Sequence, residues 1–336
     1  MASAMNVFLT FDYELFLGEK TGTPENCLIR PMEELCKVAD RHGVRFVIFA
    51  DAAYLLKMQQ LSGQSPEIQR QYEMVCDHLR ALSCQGHDIQ LHFHPQWLYS
   101  TWDDESKEWK MDREHYKLSD LSLSEAKTSL KDAKNLLDSI VGYKTTAFRA
   151  GGFCLDSFCE YKELFRELGI KVDSSVARDS YVSSKIHSYD FRRIPKQQIY
   201  CFSDSIKECD EEGDFVELSI SSFKWGHLKY FTQIRPLRVA KKPTVVYQDG
   251  RAISDGRVPI FKRLLGRLKT QSYLASVDGE WSNLLGEYID YSFSKGWSEI
   301  IMIGHPKNAT DVSICNLDSF LSKNKGIKVR TTRDLL

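Results

Sequence analysis

Short apolar runs alternate along the chain with longer stretches of helical spacing. Val7-Phe8-Leu9 reads as a first strand, Val44 to Phe49 as a second and Asp88 to His94 as a third, with helices near 30–42 and 66–85 between them. Ser122-Leu123-Ser124-Glu125 is a capping box that opens a helix to about Val141. Thr145 to Arg149, Ile170 to Asp173, Phe215 to Ile220 and Glu299 to Ile303 read as further strands, with helices near 156–168 and 280–295. Strands separated by helices of crossover length predict a parallel sheet with helices outside it, either open or closed into a barrel. Between the third strand and the capping box, residues 98–118 read as a long polar loop; Trp97, Trp102 and Trp109 in and beside it could stack on ligand rings or simply pack the loop.

Polar groups interrupt the apolar pattern where strands end. Thr10-Phe11-Asp12-Tyr13-Glu14 closes the first strand with two carboxylates at i, i+2, and His92-Phe93-His94-Pro95 closes the third with two imidazoles at the same spacing. Side chains two apart on a strand share a face, so in one parallel sheet these four groups converge at the C-terminal edge, where α/β proteins bind ligands. Two imidazoles and a carboxylate are a common ligand set for a divalent ion, zinc first among them, and zinc lowers the pKa of a bound water to about 7. Hydrolysis of an amide also needs a base for the water proton and an acid for the leaving amine. Asp12 is the candidate base, and His305, in Gly304-His305-Pro306 after the last strand, is the candidate acid. Arg149, ending the fourth strand, could pair with the base carboxylate and hold it ionised. His42, His78, His115, His187 and His227 stand in amphipathic or loop contexts and read as structural or exposed.

Composition narrows the classes further. With 42% hydrophobic and 27% charged residues and a formal net charge of −1, the chain can bury a sizeable core. No apolar run reaches the roughly 20 residues needed to span a bilayer, and Met1 to Asn6 has neither a basic nor an apolar leader region, so a cytoplasmic protein is expected. Nine scattered cysteines without a CxxC pair read as reduced, mostly packed thiols. Residues 224–269 depart from the average, with twelve Lys and Arg against Asp249 and Asp255, a local net charge of +10. Within them Ile260, Phe261, Leu264, Leu265 and Leu268 share one helical face. This segment reads as a basic insertion or lid, or as the contact for an anionic membrane surface or a lipid-linked glycan. No aromatics interleave with the basic residues in a nucleic-acid-binding motif, and no such partner is expected.

Thr10-Phe11-Asp12-Tyr13-Glu14, Gly86-His87-Asp88-Ile89-Gln90-Leu91-His92-Phe93-His94-Pro95, Phe148-Arg149-Ala150-Gly151-Gly152 and Gly304-His305-Pro306 resemble, in order and context, the motifs of the polysaccharide deacetylase (NodB-homology) family. The likeness runs over roughly residues 5–310, and is similar in particular to the branch with an HxH motif followed by Pro-Gln-Trp, here Pro95-Gln96-Trp97. It implies a distorted (β/α)7 barrel, one catalytic unit over 5–336, and metal-dependent removal of acetyl from an N-acetylated sugar or glycan precursor in surface-polysaccharide synthesis. By that resemblance Asp12 matches the base, His92 the first metal histidine, Arg149 the arginine that orients the base, His305 the general acid, and Asp173 the acidic partner of that histidine. Two positions depart from the family pattern. Tyr13 stands where a second aspartate is usual, so the acidic ligand is Glu14, or Asp12 itself, or missing; Glu14 is preferred because it shares a side with Asp12. Gln96 stands where the second metal histidine is usual, and His94 would replace it. A related branch hydrolyses cyclic amides and ureides without necessarily using a metal, and a silent glycan-binding barrel is the other alternative.

Overall fold

The strand-end residues can meet only if the strands run parallel and in step, and the register shows that they do. The computed structural model describes residues 5–155, 157–184, 186–225, 245–252 and 271–336. Its main sheet contains β1 (Asn6–Tyr13), β2 (Val47–Asp51), β3 (Asp88–Phe93), β4 (Ala147–Ala150), β5 (Val172–Asp173), β6 (Ile199–Phe202), β7 (Phe215–Leu218), β8 (Glu299–Gly304) and β9 (Lys328–Arg330). The order is β6-β7-β5-β4-β3-β2-β1-β8, with β9 beside β1. All neighbours are parallel except β6, which lies antiparallel to β7.

The two ends of this sheet approach each other without forming a full ladder. Ser221, just past β7, donates its N–H to Ile301 O at 3.0 Å and accepts the Ile301 N–H on its hydroxyl at 3.0 Å. Ala275 N–H then bonds Ser221 O, and residues 275–277 pair with Ile303. The result is the expected distorted (β/α) barrel, nearly closed.

Alternation along each strand sorts side chains into two cores. Phe8, Val47, Phe49, Ala147, Val172, Leu218, Ile220, Ile301 and Ile303 fill the barrel interior. Val7, Leu9, Phe11, Ile48, Leu91, Phe148 and Met302 face the helices outside. Both faces are buried, which is why the strands read as continuous apolar runs.

Helices cover the outer face where the spacing predicts them, with small shifts at their ends. Arg30–His42 ends at Gly43 in the left-handed conformation (φ 63°), and Leu123–Val141 starts on the reciprocal Ser122–Glu125 capping box. The helix Ala52–Ser62 has no counterpart in the sequence reading, because it is buried on most of its circumference and carries little amphipathic contrast. The late helix expected over 280–295 is a 3₁₀ turn, Gly279–Leu284, followed by an α-helix, Leu285–Ser294.

Most of the basic segment, residues 226–244 and 253–269, lies outside the described residues, as does its amphipathic stretch. Of its described residues, Lys224 and Trp225 end a short strand, Ser222–Trp225, while 245–252 run along the loop after β1 and the turn after β8. Lys20 bridges Arg251 and Val246 bridges Thr310, while the Asp249 carboxylate accepts from Thr23 N (2.8 Å) and Asn26 Nδ2 (3.0 Å). Among the described residues no helix is long and apolar enough to cross a membrane.

Candidate metal centre and proton-transfer groups

The inward parity that fills the barrel with Phe8, Val47, Ala147 and Ile301 continues to the strands' C-terminal ends and changes chemistry there. Two and four residues beyond those apolar positions stand Thr10 and Asp12 on β1, Phe49 and Asp51 on β2, Arg149 on β4, and Ile303 and His305 at β8. His92 on β3 is in register with both Asp51 and Arg149, so neighbouring strands deliver these groups to one mouth of the barrel.

Glu14, His92 and His94 form the tightest group there. All three are buried, and one potential ligand atom from each lies within 4.8 Å of the others. Glu14 Oε2 is 3.1 Å from His92 Nε2 and 2.6 Å from His94 Nε2. His92 Nδ1 is 2.7 Å from the Arg149 carbonyl, which can only accept, so that nitrogen donates and Nε2 is left to face the cluster. His94 Nδ1 is 3.3 Å from Gln96 Oε1, which favours the same tautomer. Two Nε2 lone pairs and a carboxylate oxygen pointing at one another are a donor set that fits a divalent ion.

The electrostatics of the cluster favour positive charge at its centre, and His92 holds a proton that a bound ion would displace. Burial pushes the Glu14 carboxyl up, but Lys307 and the two imidazoles outweigh it and hold it well below the usual carboxylate range. Burial pushes His92 down, while Asp12 and Glu14 raise it more, to about 9.

The loop that carries His94 is held from below by Asp51. That buried carboxylate accepts from His94 N (3.3 Å) and from Trp97 Nε1 (2.8 Å), and caps the helix that follows β2. Gly151 supplies the space: a Cβ there would sit 2.5 Å from His94 Nδ1. Trp97 and Trp109 are buried and pack edge-on to each other, with ring centres 5.2 Å apart, while Trp102 is partly buried against Trp109. Trp97 and Trp109 therefore pack the loop and offer no free face to a sugar ring.

Asp12 is divided between two tasks. Its Oδ1 pairs with Arg149 Nη1 at 2.5 Å, and its Oδ2 lies 3.8 Å from His305 Nε2. Arg149 is completely buried, and its remaining donors reach Thr10 Oγ1 (3.0 Å), Ser174 Oγ (2.8 Å) and Ser174 O (3.0 Å), with Phe49 under the guanidinium at 4.1 Å. A guanidinium tied through Nε, Nη1 and Nη2 in this way is held in one position, which fixes the Asp12 carboxylate in turn.

His305 finds its acid partner in Asp278, not in Asp173. Asp278 Oδ2 is 2.7 Å from His305 Nδ1, and Asp278 Oδ1 accepts the His305 backbone N–H at 2.8 Å. Burial lowers the His305 pKa, but Asp278 outweighs this and the net shift is upward. Asp173 has the wrong parity. It is in register with the outward-facing Phe148, so Ser174 rather than Asp173 points into the barrel to meet Arg149. The Asp173 carboxylate instead accepts from Ser175 N and Oγ and faces its register partner Glu217, and burial raises both acids. Asp278, Lys307, Ser174, Thr10 and Asp51 are the site's neighbours that sequence reasoning did not single out.

No protein-family model matches the chain, and a search of curated proteins finds no match. Solved structures do resemble it. One assigned as a polysaccharide deacetylase from Mycobacterium smegmatis shares 13% identity at a TM-score of 0.53, over 100% of this chain and 90% of that one. A 4-alpha-glucanotransferase from Thermococcus litoralis shares 11% identity at a TM-score of 0.51, over 99% of this chain but 40% of the other. At such identities the likeness is one of fold, and any activity has to be argued from the site.

Proposed function

We propose that the chain is a metal-dependent amide hydrolase that removes acetyl from an N-acetylated sugar or glycan precursor, with Glu14, His92 and His94 holding the ion. The carrying observation is the convergence on one barrel mouth of that donor set, the Asp12–Arg149 pair and the His305–Asp278 pair. A divalent ion held there, zinc first among them, would supply Lewis acidity and a water that ionises near neutral pH. Asp12 Oδ2, left over from the bond to Arg149, takes the proton of the attacking water. His305 Nε2, 3.8 Å from that oxygen, protonates the leaving amine nitrogen as the carbonyl carbon loses it. Asp278 on Nδ1 keeps the imidazole oriented for that transfer. The fold shared with a protein assigned as a polysaccharide deacetylase agrees with this substrate class. One catalytic unit over 5–336, in the branch with His-Phe-His, and a cytoplasmic step in surface-glycan synthesis complete the reading. In it the basic segment 224–269 meets an anionic membrane surface or lipid-linked glycan.

A second reading has one observation behind it. Lys307 Nζ lies 2.7 Å from Glu14 Oε1, so the carboxylate already has a cation from the chain itself. That arrangement would suit cyclic-amide hydrolysis without an ion.

Metal analysis of the purified protein, paired with acetate release from a panel of N-acetylated sugars alongside hydantoin-type cyclic amides, separates the two. A stoichiometric ion that is lost in His92→Ala, together with acetate release lost in Asp12→Asn, is the expected result. An ion-free wild type that opens cyclic amides would reject the proposal.

A further inference from the structure

Lys307 follows the last barrel strand in His305-Pro306-Lys307, and its side chain is only 10% exposed. A buried ammonium is costly unless it is paired, and this one is. Nζ donates to Glu14 Oε1 at 2.7 Å and to Leu15 O at 2.9 Å, and lies 5.1 Å from the centre of the Phe16 ring. Glu14 Oε2 faces the two imidazole Nε2 atoms at 3.1 and 2.6 Å. The two oxygens of one carboxylate are therefore divided, one for the chain's own cation and the other for the metal-facing cluster.

We infer that Lys307 is a positioning residue that makes Glu14 a one-oxygen, charge-neutralised ligand, and so selects ions that bind through imidazole over ions that depend on carboxylate charge. This rests on the metal-site reading above. An ordinary set of two histidines and a carboxylate brings a net charge of −1 to its ion, whereas here the ammonium cancels it. Two consequences follow from electrostatics. The site holds any divalent ion less tightly than the same ligands would without Lys307, and the ion keeps more of its charge for whatever it polarises. Magnesium and calcium, which are bound by oxygen and charge, lose most; zinc and cobalt, which bind well to neutral imidazole, lose least.

The test compares wild type with Lys307→Met, Lys307→Gln and Lys307→Arg, each checked for a cooperative thermal melt. Zinc and magnesium affinities are read by competition with a chromogenic chelator, and the cobalt-substituted proteins by their visible absorption. Lys307→Met is expected to bind zinc at least tenfold tighter and magnesium tighter by a larger factor, with a weaker cobalt band as Glu14 becomes free to offer both oxygens. Lys307→Arg should stay within threefold of wild type. Lys307→Gln removes the charge but keeps an N–H for Glu14, so it carries the same expectation if the methionine variant fails to fold. A folded neutral variant with unchanged or weaker zinc affinity overturns the inference while leaving the hydrolase reading intact. A wild type that binds no divalent ion overturns both.

Discussion

Replacing Arg149 with methionine should be among the most damaging single changes to the fold, and the reason is what it leaves behind. Methionine reaches only about as far as Nε, so the empty space of the guanidinium head over Phe49 adds a cavity cost to the electrostatic one. The variant strands the buried Asp12 carboxylate, whose Oδ1 had the 2.5 Å partner, and leaves Thr10 Oγ1 and Ser174 O without the donors they accept from. Removing one partner of a buried ion pair costs about 3–5 kcal/mol. For a chain of this size each kcal/mol lowers the melting temperature by about 2 °C, so a drop of about 6–10 °C is expected. Urea unfolding at constant pH gives the free energy directly. The decisive control is the double variant. Asp12→Asn with Arg149→Met removes both charges, so it should be less destabilised than the sum of the single variants by about 2 kcal/mol or more. If Arg149→Met costs under about 1 kcal/mol, or the two changes add to within about 0.5 kcal/mol, the pair is not the buried charge couple described here.

Asp278→Asn should shift the alkaline limb of the pH–rate profile to lower pH, because the carboxylate is what raises His305, while Asp173→Asn should leave that limb in place; the reverse pattern would restore Asp173 as the partner. The same shift is linked to stability. A histidine raised on folding stabilises most below its ordinary pKa of about 6.5, and the gain is lost as pH climbs through the raised value, so Asp278→Asn should flatten that dependence in urea titrations. Gly151→Ala should push the His94 ring aside and weaken zinc binding by about 10- to 100-fold, the usual cost of disturbing what orients a metal histidine, with little change in the far-ultraviolet circular dichroism.

Much of the site was legible because strand parity is a local property. Asp12 with Glu14 and His92 with His94 each occupy i, i+2 positions beside apolar strand residues, and a parallel sheet brings such ends together without any knowledge of the rest of the chain. What was illegible depends on longer range. Asp278 follows Ala275-Ser276-Val277, a short stretch whose role in sewing the barrel closed appears only from its bonds to Ser221 and Ile303. Lys307 looks in sequence like any lysine after a strand, and its burial comes from the loop after β1 folding over it. Asp173 is assigned by the resemblance alone, which carries no information on strand register. The Ser174 N–H bond to Phe148 O shows the pairing running one residue further, and parity then assigns the interior to Ser174. The Trp-containing stretch concealed its packing role because Tyr54, whose ring packs tilted against Trp97 with centres 4.5 Å apart, belongs to a helix whose pattern is too uniformly apolar to stand out.

The bond from Lys307 to Glu14 joins residues 293 positions apart. A ribosome adding about 5–20 residues per second needs about 15–60 seconds to make the chain between them. Throughout that interval the nascent polypeptide holds the carboxylates, then the imidazoles, then Arg149, but lacks the ammonium that neutralises Glu14. The charge balance of the barrel mouth is therefore settled late, once β8 has docked beside β1 and the turn that follows it has carried Lys307 to Glu14.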